Sequence, residues 1–218
     1  TNILCHDDNN GTITVVGTGG TPPLTYTLQP DGITQSTGTF TDLDAGVYTV
    51  VITDIYNCAA ATTPDITIIN PDVIAIDSTD VIDITCYNTD TAKITVYASG
   101  GTGYLSYTLW LNSVVNQNNN SGIFVNLSEG TYFVTVTDSI GCPEDTTTII
   151  ILTNPGEIVI DSTNSTDVLC NGETNGTITV FASGGTNPLV YTLTPGGVVN
   201  TNGVFNGLAP NTYSVSVT

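Results

Sequence analysis

The most constraining feature of the sequence is a block of just over eighty residues that occurs three times. Cys5, Cys86 and Cys170 each precede a stretch ending in I-T-V, so successive copies lie 86 − 5 = 81 and 170 − 86 = 84 residues apart. A second motif, G-x-F-x-x-L-x-x-x-x-Y, recurs in step at residues 38–48, 122–132 and 203–213. A period of this length is too long for one coil of a solenoid and suits a whole small domain. The sequence therefore predicts tandem domains, about two and a half copies of a repeat of 81–84 residues.

Short runs of alternating apolar and polar residues predict β-strands throughout each copy. Ile13 and Val15 alternate with threonines, and Leu24, Tyr26 and Leu28 show the same spacing in the next run. A period of two residues places one face of a strand in the core and the other in water. No long helical period is present, so we expect an all-β protein.

A tyrosine that follows a turn and opens an alternating strand is typical of the tyrosine corner of immunoglobulin-like sandwiches. Tyr48, Tyr132 and Tyr213 hold this place in the three copies. We therefore expect tandem immunoglobulin-like (PKD/fibronectin-III-like) β-sandwich domains of seven strands. In the middle copy the strands are expected at 72–77 with 81–86 (strand A), 93–99 (B), 104–111 (C), 113–117, 122–127 (E), 131–138 (F) and 145–152 (G).

The expected domains are residues 1–71, with an incomplete first strand, the complete repeat 72–155, and residues 156–218, truncated within strand F. Ile-Asn-Pro at 69–71 and Thr-Asn-Pro at 153–155 close the first two units and pass almost directly into the next strand. Linkers this short do not permit free swivelling, and a fairly stiff rod is expected.

The charge balance excludes whole classes of partner. One Lys, no Arg and 20 acidic residues give a formal net charge of −19. Such a chain repels phosphate backbones, so no nucleic acid partner is expected. No apolar run approaches the length that spans a bilayer, and no signal peptide is visible. We expect no membrane insertion in this segment, and any export signal or anchor to lie outside it.

The ordered motifs of each copy resemble the SprB repeat, found in very large surface adhesins of gliding bacteria. They are the cysteine with its polar turn, G-x-I-T-V, G-G-T-x-x-L-x-Y-T-L, the tyrosine motif with V-x-V-T-D, and a closing cysteine. The middle copy departs at Ala92-Lys93, and the third at Pro210-Asn211. The resemblance implies type IX secretion, an extracellular cell-surface location, assembly into filaments, and adhesion during gliding.

The expected function is a structural and adhesive stalk segment of an exported, SprB-like surface filament. Its expected partners are neighbouring repeats of the same chain, other filament chains, or a surface or polysaccharide ligand. The alternatives are a sugar- or calcium-dependent binding module, to which Trp110 is the one hint, and accessory domains of a larger exported enzyme. With one His and one Lys, the segment lacks a nucleophile, base and orienter set, so no enzyme activity is expected.

Five cysteines in an exported chain imply disulfides, and two pairings are open. Pairing within a repeat would join Cys5 to Cys58 and Cys86 to Cys142. In a sandwich, however, the turn after strand A and the turn before strand G cap opposite ends, about 20 Å apart for a strand of about seven residues, whereas a disulfide needs Cα atoms within about 7 Å. Stacked repeats would bring Cys5 to Cys142 instead, so this interdomain bond is favoured. Cys58, Cys86 and Cys170 are then expected to bond outside the segment.

Repeated aspartates raise the question of a metal site. Asp54 and Asp138 share the pattern T-D-x-x-x-C, and an aspartate at a tight turn usually binds backbone N–H groups. Calcium is the ion that would accept an all-oxygen shell, and no other cofactor is expected. The candidate ligands, given stacked repeats, are Asp7, Asp8, Asp42, Asp44 and Asp138.

The resemblance also implies a modification, because bacteria of this group O-glycosylate Asp-[Ser/Thr]-x triplets in which x is apolar or threonine. Five triplets fit this pattern. Their candidate sugar carriers are Ser78, Thr91, Ser139, Thr146 and Ser162.

Overall fold

The computed structural model describes residues 1–58 and 60–218, and every regular element in this part of the chain is a β-strand. The first repeat contains β1 (Gly11–Thr14), β2 (Thr25–Gln29), β3 (Ile33–Gln35), β4 (Thr39–Leu43), β5 (Gly46–Thr53), β6 (Ala61–Thr62) and β7 (Ile66–Ile68). The middle repeat contains β8 (Ala75–Ile82), β9 (Ala92–Ser99), β10 (Leu105–Leu111), β11 (Val114–Asn119), β12 (Ile123–Leu127), β13 (Gly130–Asp138), β14 (Asp145–Thr146) and β15 (Ile150–Leu152). The third contains β16 (Val159–Thr166), β17 (Gly176–Ser183), β18 (Tyr191–Thr194), β19 (Val198–Asn200), β20 (Val204–Leu208) and β21 (Ser214–Val217). The all-β prediction is confirmed.

The strand pairings repeat the same plan in each copy. In the first, β1 pairs with β4, and the second sheet runs in the order β3-β2-β5-β6, with β7 also on β5. In the middle copy the sheets are β12-β9-β8 and β11-β10-β13-β14, with β15 also on β13. In the third they are β16-β17-β20 and β19-β18-β21. This order of antiparallel strands is that of an immunoglobulin-like sandwich, as predicted. The short strand after strand C pairs with strand C, whereas in constant-type immunoglobulin domains it joins the other sheet.

The alternating residues of the sequence form the cores. In the first repeat, Ile13, Tyr26, Leu28, Phe40 and Val50 are all buried and belong to one cluster. The third repeat has its own cluster, Val180, Leu189, Tyr191, Leu193 and Phe205. On β9, β10 and β13 of the middle repeat, the buried residues are Ala92, Ile94, Val96, Tyr107, Leu109, Tyr132, Val134 and Val136. Apolar side chains at every second position are thus withdrawn from water, which stabilises the sandwiches.

Each predicted tyrosine corner is present. The hydroxyl groups of Tyr48, Tyr132 and Tyr213 donate hydrogen bonds to the carbonyls of Asp44, Ser128 and Ala209, each over 3.0 Å. Every one of these bonds reaches back four residues, and it fixes the turn that leads into the next strand.

Two strand predictions for the middle repeat were wrong in detail. Strand A was expected in two pieces at 72–77 and 81–86, but the structure has one strand, Ala75–Ile82. Strand G was expected to be continuous over 145–152, but it is divided into Asp145–Thr146 and Ile150–Leu152. Between these two pieces, the Thr147 side chain rather than its backbone accepts the hydrogen bond from the Val134 amide, over 2.9 Å, so the ladder is interrupted there.

By its internal contacts the chain forms two compact units. The first comprises residues 1–80, 95–123 and 133–148, and the second residues 81–94, 124–132 and 149–218. Strands of the middle repeat contribute to both. The domain boundaries after residues 71 and 155 stay predictions.

Candidate functional site

The turn that ends β13 is held by the carboxylate of Asp138, which is 6% exposed. One oxygen accepts hydrogen bonds from the backbone amides of Ile140, Gly141 and Cys142, at 3.1, 2.8 and 3.0 Å. The other accepts the amide of Thr102 from the preceding G-G-T loop, at 2.8 Å. Asp138 therefore fixes both the cysteine-bearing turn and the loop beside it.

Asp54 forms the same arrangement in the first repeat. Its oxygens accept the amides of Tyr56 and Cys58 at 3.0 Å each, and that of Thr21 at 3.1 Å. The amide of Cys58 is the largest cause that lowers the pKa of Asp54, followed by the amide of Thr21. Aspartate in T-D-x-x-x-C thus acts as a turn residue, as the pattern indicates.

Burial raises the pKa of Asp138, but the four amide donors outweigh it and hold the pKa below the ordinary value for aspartate. The same balance lowers the pKa of Asp83, whose carboxylate accepts the amides of Ile84 and Thr153 and the hydroxyl of Thr153. Hydrogen bonds to the charged form favour ionisation, so these carboxylates stay charged well below neutral pH.

The disulfide in the structure joins Cys5 to Cys142. The sulfur atoms are 2.11 Å apart and the Cα atoms 5.3 Å apart, and the Cα separation lies within the range that a disulfide requires. The two residues are 137 positions apart, and they belong to turns of successive repeats. The alternative pairings, Cys5 with Cys58 and Cys86 with Cys142, are not those of the structure.

Hydrogen bonds surround this disulfide. The hydroxyl of Thr102 donates to the carbonyl of Leu4 over 2.6 Å, directly beside Cys5. Asn70 of the Ile-Asn-Pro linker exchanges two hydrogen bonds with Asp7, at 3.0 and 2.9 Å. His6 donates to the carbonyl of Pro71 over 2.8 Å. The cysteine turn of the first repeat is therefore anchored both to the linker and to the G-G-T loop of the next repeat.

The second unit contains an equivalent junction. Thr186, of the third G-G-T loop, donates its hydroxyl hydrogen to the carbonyl of Thr85 over 2.7 Å, beside Cys86. The amide of Asn88 donates to the side chain of Asn154, in the Thr-Asn-Pro linker, over 3.0 Å. Cys86 itself is exposed and carries a free thiol, as do Cys58 and Cys170. Their bonding outside the segment stays a prediction.

The five aspartates suggested for calcium do not assemble into a site. Within residues 1–58 and 60–218, no three His, Cys, Asp or Glu side chains form a group that could hold a metal ion. Asp138 is occupied by backbone amides, while Asp7, Asp8, Asp42 and Asp44 are exposed. Asp42 accepts the hydroxyl of Thr41. Calcium binding at these residues stays a prediction that no preformed group supports.

The candidate sugar carriers all lie on the surface. The exposed residues are Ser78, Thr91, Ser139, Thr146 and Ser162. The hydroxyl of Ser139 donates to the carbonyl of Thr102 over 3.2 Å, and that of Thr91 lies 3.3 Å from the hydroxyl of Thr89. Accessibility is a requirement for enzymatic glycosylation, and the modification stays a prediction for all five.

Trp110 is engaged in packing rather than presented as an open platform. Its ring is stacked on that of Phe133, with centroids 5.7 Å apart, and its Nε1 donates to the hydroxyl of Thr135 over 3.0 Å. No local pattern in the sequence indicates Phe133 as its partner. In the described residues, no helix is long and apolar enough to span a bilayer.

The chain is similar to one family model and to several solved structures of low sequence identity. Solved structures similar to the chain include Sidekick-1 immunoglobulin domains 1–5, at 13% identity and a TM-score of 0.31, covering 100% of this chain and 56% of that one. Domains 4–9 of the surface layer protein SbsC match at 16% identity and a TM-score of 0.29, covering 93% and 40% of the two chains. No protein of curated function matches the sequence. The family model of the SprB repeat matches residues 1–32 and 162–198. These two regions of the chain are therefore similar to the SprB repeat, as the motifs indicated.

Proposed function

We propose that this chain is a structural and adhesive stalk segment of an exported, SprB-like cell-surface filament, used in attachment or gliding. The observation that carries the proposal is the disulfide between Cys5 and Cys142, because it joins turns of successive repeats. A bond of this kind lies in parallel with the peptide linker at residues 69–71. Pulling or shear applied along the chain is then resisted by a covalent tie as well as by the linker.

The surroundings of the disulfide support a mechanical role. Thr102 and Leu4 add a hydrogen bond across the same junction, and Asn70 and Asp7 hold the linker against the turn. Thr186 and Thr85 provide the corresponding contact in the second unit. Repetition of one contact pattern suits an array under tension, since each repeat contacts only its neighbours.

A structural and adhesive role also fits the bonds that the histidine and the buried aspartates make. SprB repeats and immunoglobulin-like sandwiches are typical of structural and adhesive proteins. The single histidine bonds the carbonyl of Pro71, and the two buried aspartates at the cysteine turns, Asp54 and Asp138, bind backbone amides. Through these bonds the three side chains hold turns and the linker in place, which supports a structural role. Export by type IX secretion and glycosylation of the exposed hydroxyl groups belong to the same proposal.

The test replaces Cys5 and Cys142 by serine in the gene of the producing bacterium. Antibodies against the segment should label intact cells of both strains equally, while the variant cells should detach at lower shear. In the purified variant, loss of the disulfide should lower the free energy of unfolding by about 2–5 kcal/mol. Asp65→Asn, a change at an exposed carboxylate, serves as the control and should affect neither property.

Two results would count against the proposal in different ways. Absence of label from intact cells would contradict the surface location. Equal labelling with unchanged resistance to shear would contradict the mechanical role of the disulfide.

A further inference from the structure

Two aromatic rings are exposed at equivalent places in the middle and third repeats. Tyr97 lies on β9 and Phe181 on β17, and each side chain is 52% exposed. The residues that precede them, Val96 and Val180, are almost completely buried. Because successive side chains of a strand point to opposite faces, both rings lie on the outer face of their sheet. Tyr97 belongs to the repeat that has a neighbouring repeat on both sides in the sequence, and it is as exposed as Phe181.

In the middle repeat, a serine and an aspartate lie beside the ring. The hydroxyl of Ser99, two residues after Tyr97 on β9, donates to one carboxylate oxygen of Asp77 over 3.0 Å. Residues two apart on a strand project from the same face, about 7 Å from each other. Within residues 1–58 and 60–218, the second oxygen of Asp77 accepts no hydrogen bond. An exposed acceptor with negative charge is therefore placed next to the open ring.

The third repeat has the same arrangement. The hydroxyl of Ser183, two residues after Phe181, donates to one oxygen of Asp161 over 2.9 Å, and the other oxygen accepts no hydrogen bond from the part of the chain that the structure describes. The register of β16 on β17 sets Ser162 directly opposite Phe181, so that a serine hydroxyl also borders the ring. Each site thus combines an open aromatic ring, a carboxylate oxygen and small hydroxyl side chains on one face of a sheet.

This combination of groups suits a sugar. A pyranose ring has an apolar C–H face, which can stack on an aromatic ring, and hydroxyl groups around its edge, which can donate to a carboxylate. An anionic ligand is disfavoured, because the chain has a formal net charge of −19 and each site contains an aspartate. The class of ligand that fits both sites is therefore a neutral polysaccharide.

We propose that the outer sheet faces at Tyr97 and Phe181 bind neutral polysaccharide. A sugar stacks on each ring, and one of its hydroxyl groups donates to the unbonded oxygen of Asp77 or Asp161. A single sugar on an open sheet face is held weakly, so firm attachment depends on many such contacts acting together. This inference rests on the proposed adhesive function and deepens it, because it names the class of ligand and the residues that hold it.

The test measures how laminarin, dextran and galactomannan, three neutral polymers, retard the purified chain in native affinity electrophoresis. The protein is made in a host that adds no O-glycans, because a sugar on Ser162 would itself cover Phe181. We expect at least one neutral polymer to retard the chain, and alginate, a polymer of uronic acids, to have no effect. Tyr97→Ala combined with Phe181→Ala should weaken binding at least about tenfold, which corresponds to about 1.4 kcal/mol.

Three further variants separate stacking from other causes. Tyr97→Phe should keep the affinity, because stacking uses the ring and not the hydroxyl. Tyr104→Ala is the matched control, since it removes a tyrosine that is 64% exposed elsewhere in the middle repeat, and it should leave binding unchanged. Asp77→Ala combined with Asp161→Ala should weaken binding even though it reduces the net negative charge, because the acceptors for the sugar hydroxyl groups are lost. All these side chains are exposed, so the urea midpoints should match that of the wild type.

Several results would overturn the proposal. They are retardation by none of the neutral polymers, equal retardation by alginate, and an equal loss of binding in Tyr104→Ala. Self-association of the wild type that Tyr97→Ala abolishes, measured by sedimentation, would also overturn it, because a second copy of the chain would then occupy the face. None of these results bears on cell-surface labelling or on the shear resistance that Cys5 and Cys142 provide, so the two proposals fail separately.

Discussion

Asp54 and Asp138 each organise a turn with a single carboxylate. Three amides donate to Asp54 and four to Asp138, from two separate segments of the chain in each case. A carboxylate suits this role because charge-assisted hydrogen bonds are stronger than neutral ones. In the middle repeat, the turn that Asp138 fixes holds Cys142 at the position where it bonds Cys5. At the level of single residues, an acidic side chain orients the disulfide without taking part in it.

Asp138→Asn tests this role through the pH dependence of stability. The pKa of Asp138 is lower in the folded state than the unfolded value of about 3.9, so its contribution is fully present above that value and is lost as the pH falls through the folded-state pKa. The variant should lose about 1–3 kcal/mol at neutral pH, because an amide cannot serve all four donors. Urea unfolding at a series of pH values should also show that, as the pH falls below about 4, the free energy of unfolding decreases less in the variant than in the wild type.

Asp65→Asn is the matched control, since it removes the same charge from an exposed side chain. It should leave the urea midpoint at neutral pH unchanged. Equal effects of the two substitutions would show that the amide bonds of Asp138 contribute nothing specific.

At the level of strands, the turn that leads into β12 depends on a close approach between the backbones of Gly122 and Val96. Gly122 has a φ of +68°, and its carbonyl accepts the amide of Val96, on β9, over 2.8 Å. A Cβ atom at this position would clash with the carbonyl oxygen of Val96. The third repeat has the same geometry between Gly203 and Val180. The glycine of G-x-F is therefore required by strand contact as well as by backbone conformation.

Gly122→Ala and Gly141→Ala separate these two requirements. Gly141 also has a positive φ, +90°, but nothing lies within 4 Å of the position that a Cβ atom would take there. Gly141→Ala should cost about 1–2 kcal/mol for the left-handed conformation alone. Gly122→Ala should cost clearly more, because the backbone that enters β12 must also move away from β9. Chemical denaturation of both variants measures the difference, and equal losses would contradict the steric argument.

Across the whole molecule, charge is almost entirely of one sign. The formal net charge is −19 with His6 counted as neutral, and in the described residues the one contact at ion-pair distance joins His6 Nε2 to the carboxylate of Asp7, at 3.4 Å. Self-repulsion of this size keeps chains apart and soluble but destabilises the compact state. Apolar burial, backbone pairing and the disulfide must outweigh it.

Salt should therefore stabilise the protein. Between about 0.01 and 1 M ionic strength the Debye length falls from about 30 to about 3 Å, which screens most repulsion between surface carboxylates. We expect Tm to rise with sodium chloride in thermal scans. A variant with Asp65, Asp80 and Asp90 all changed to Asn should show a smaller rise, since these exposed residues supply part of the repulsion. An identical salt response in both proteins would contradict the electrostatic explanation.

The fold class, the repeat and the strand faces could all be predicted from the order of the amino acids. Alternation of apolar residues, as at Ile13 and Val15, specifies which side of a strand is buried, and this information is local. The tyrosine corners at Tyr48, Tyr132 and Tyr213 also span only four residues each. Such short-range signals can be interpreted without any knowledge of the rest of the chain.

Which distant groups meet became visible only in the folded chain. Thr102 and Leu4 are 98 positions apart, Asn70 and Asp7 are 63 apart, and no local pattern indicates either contact. The Cys5–Cys142 bond could be favoured in advance because strand length limits the reach of a disulfide, but the contacts that flank it could not. Propensities act between near neighbours, whereas the junction depends on where whole sandwiches place their loops, and that is set by the sum of many weak packing contacts.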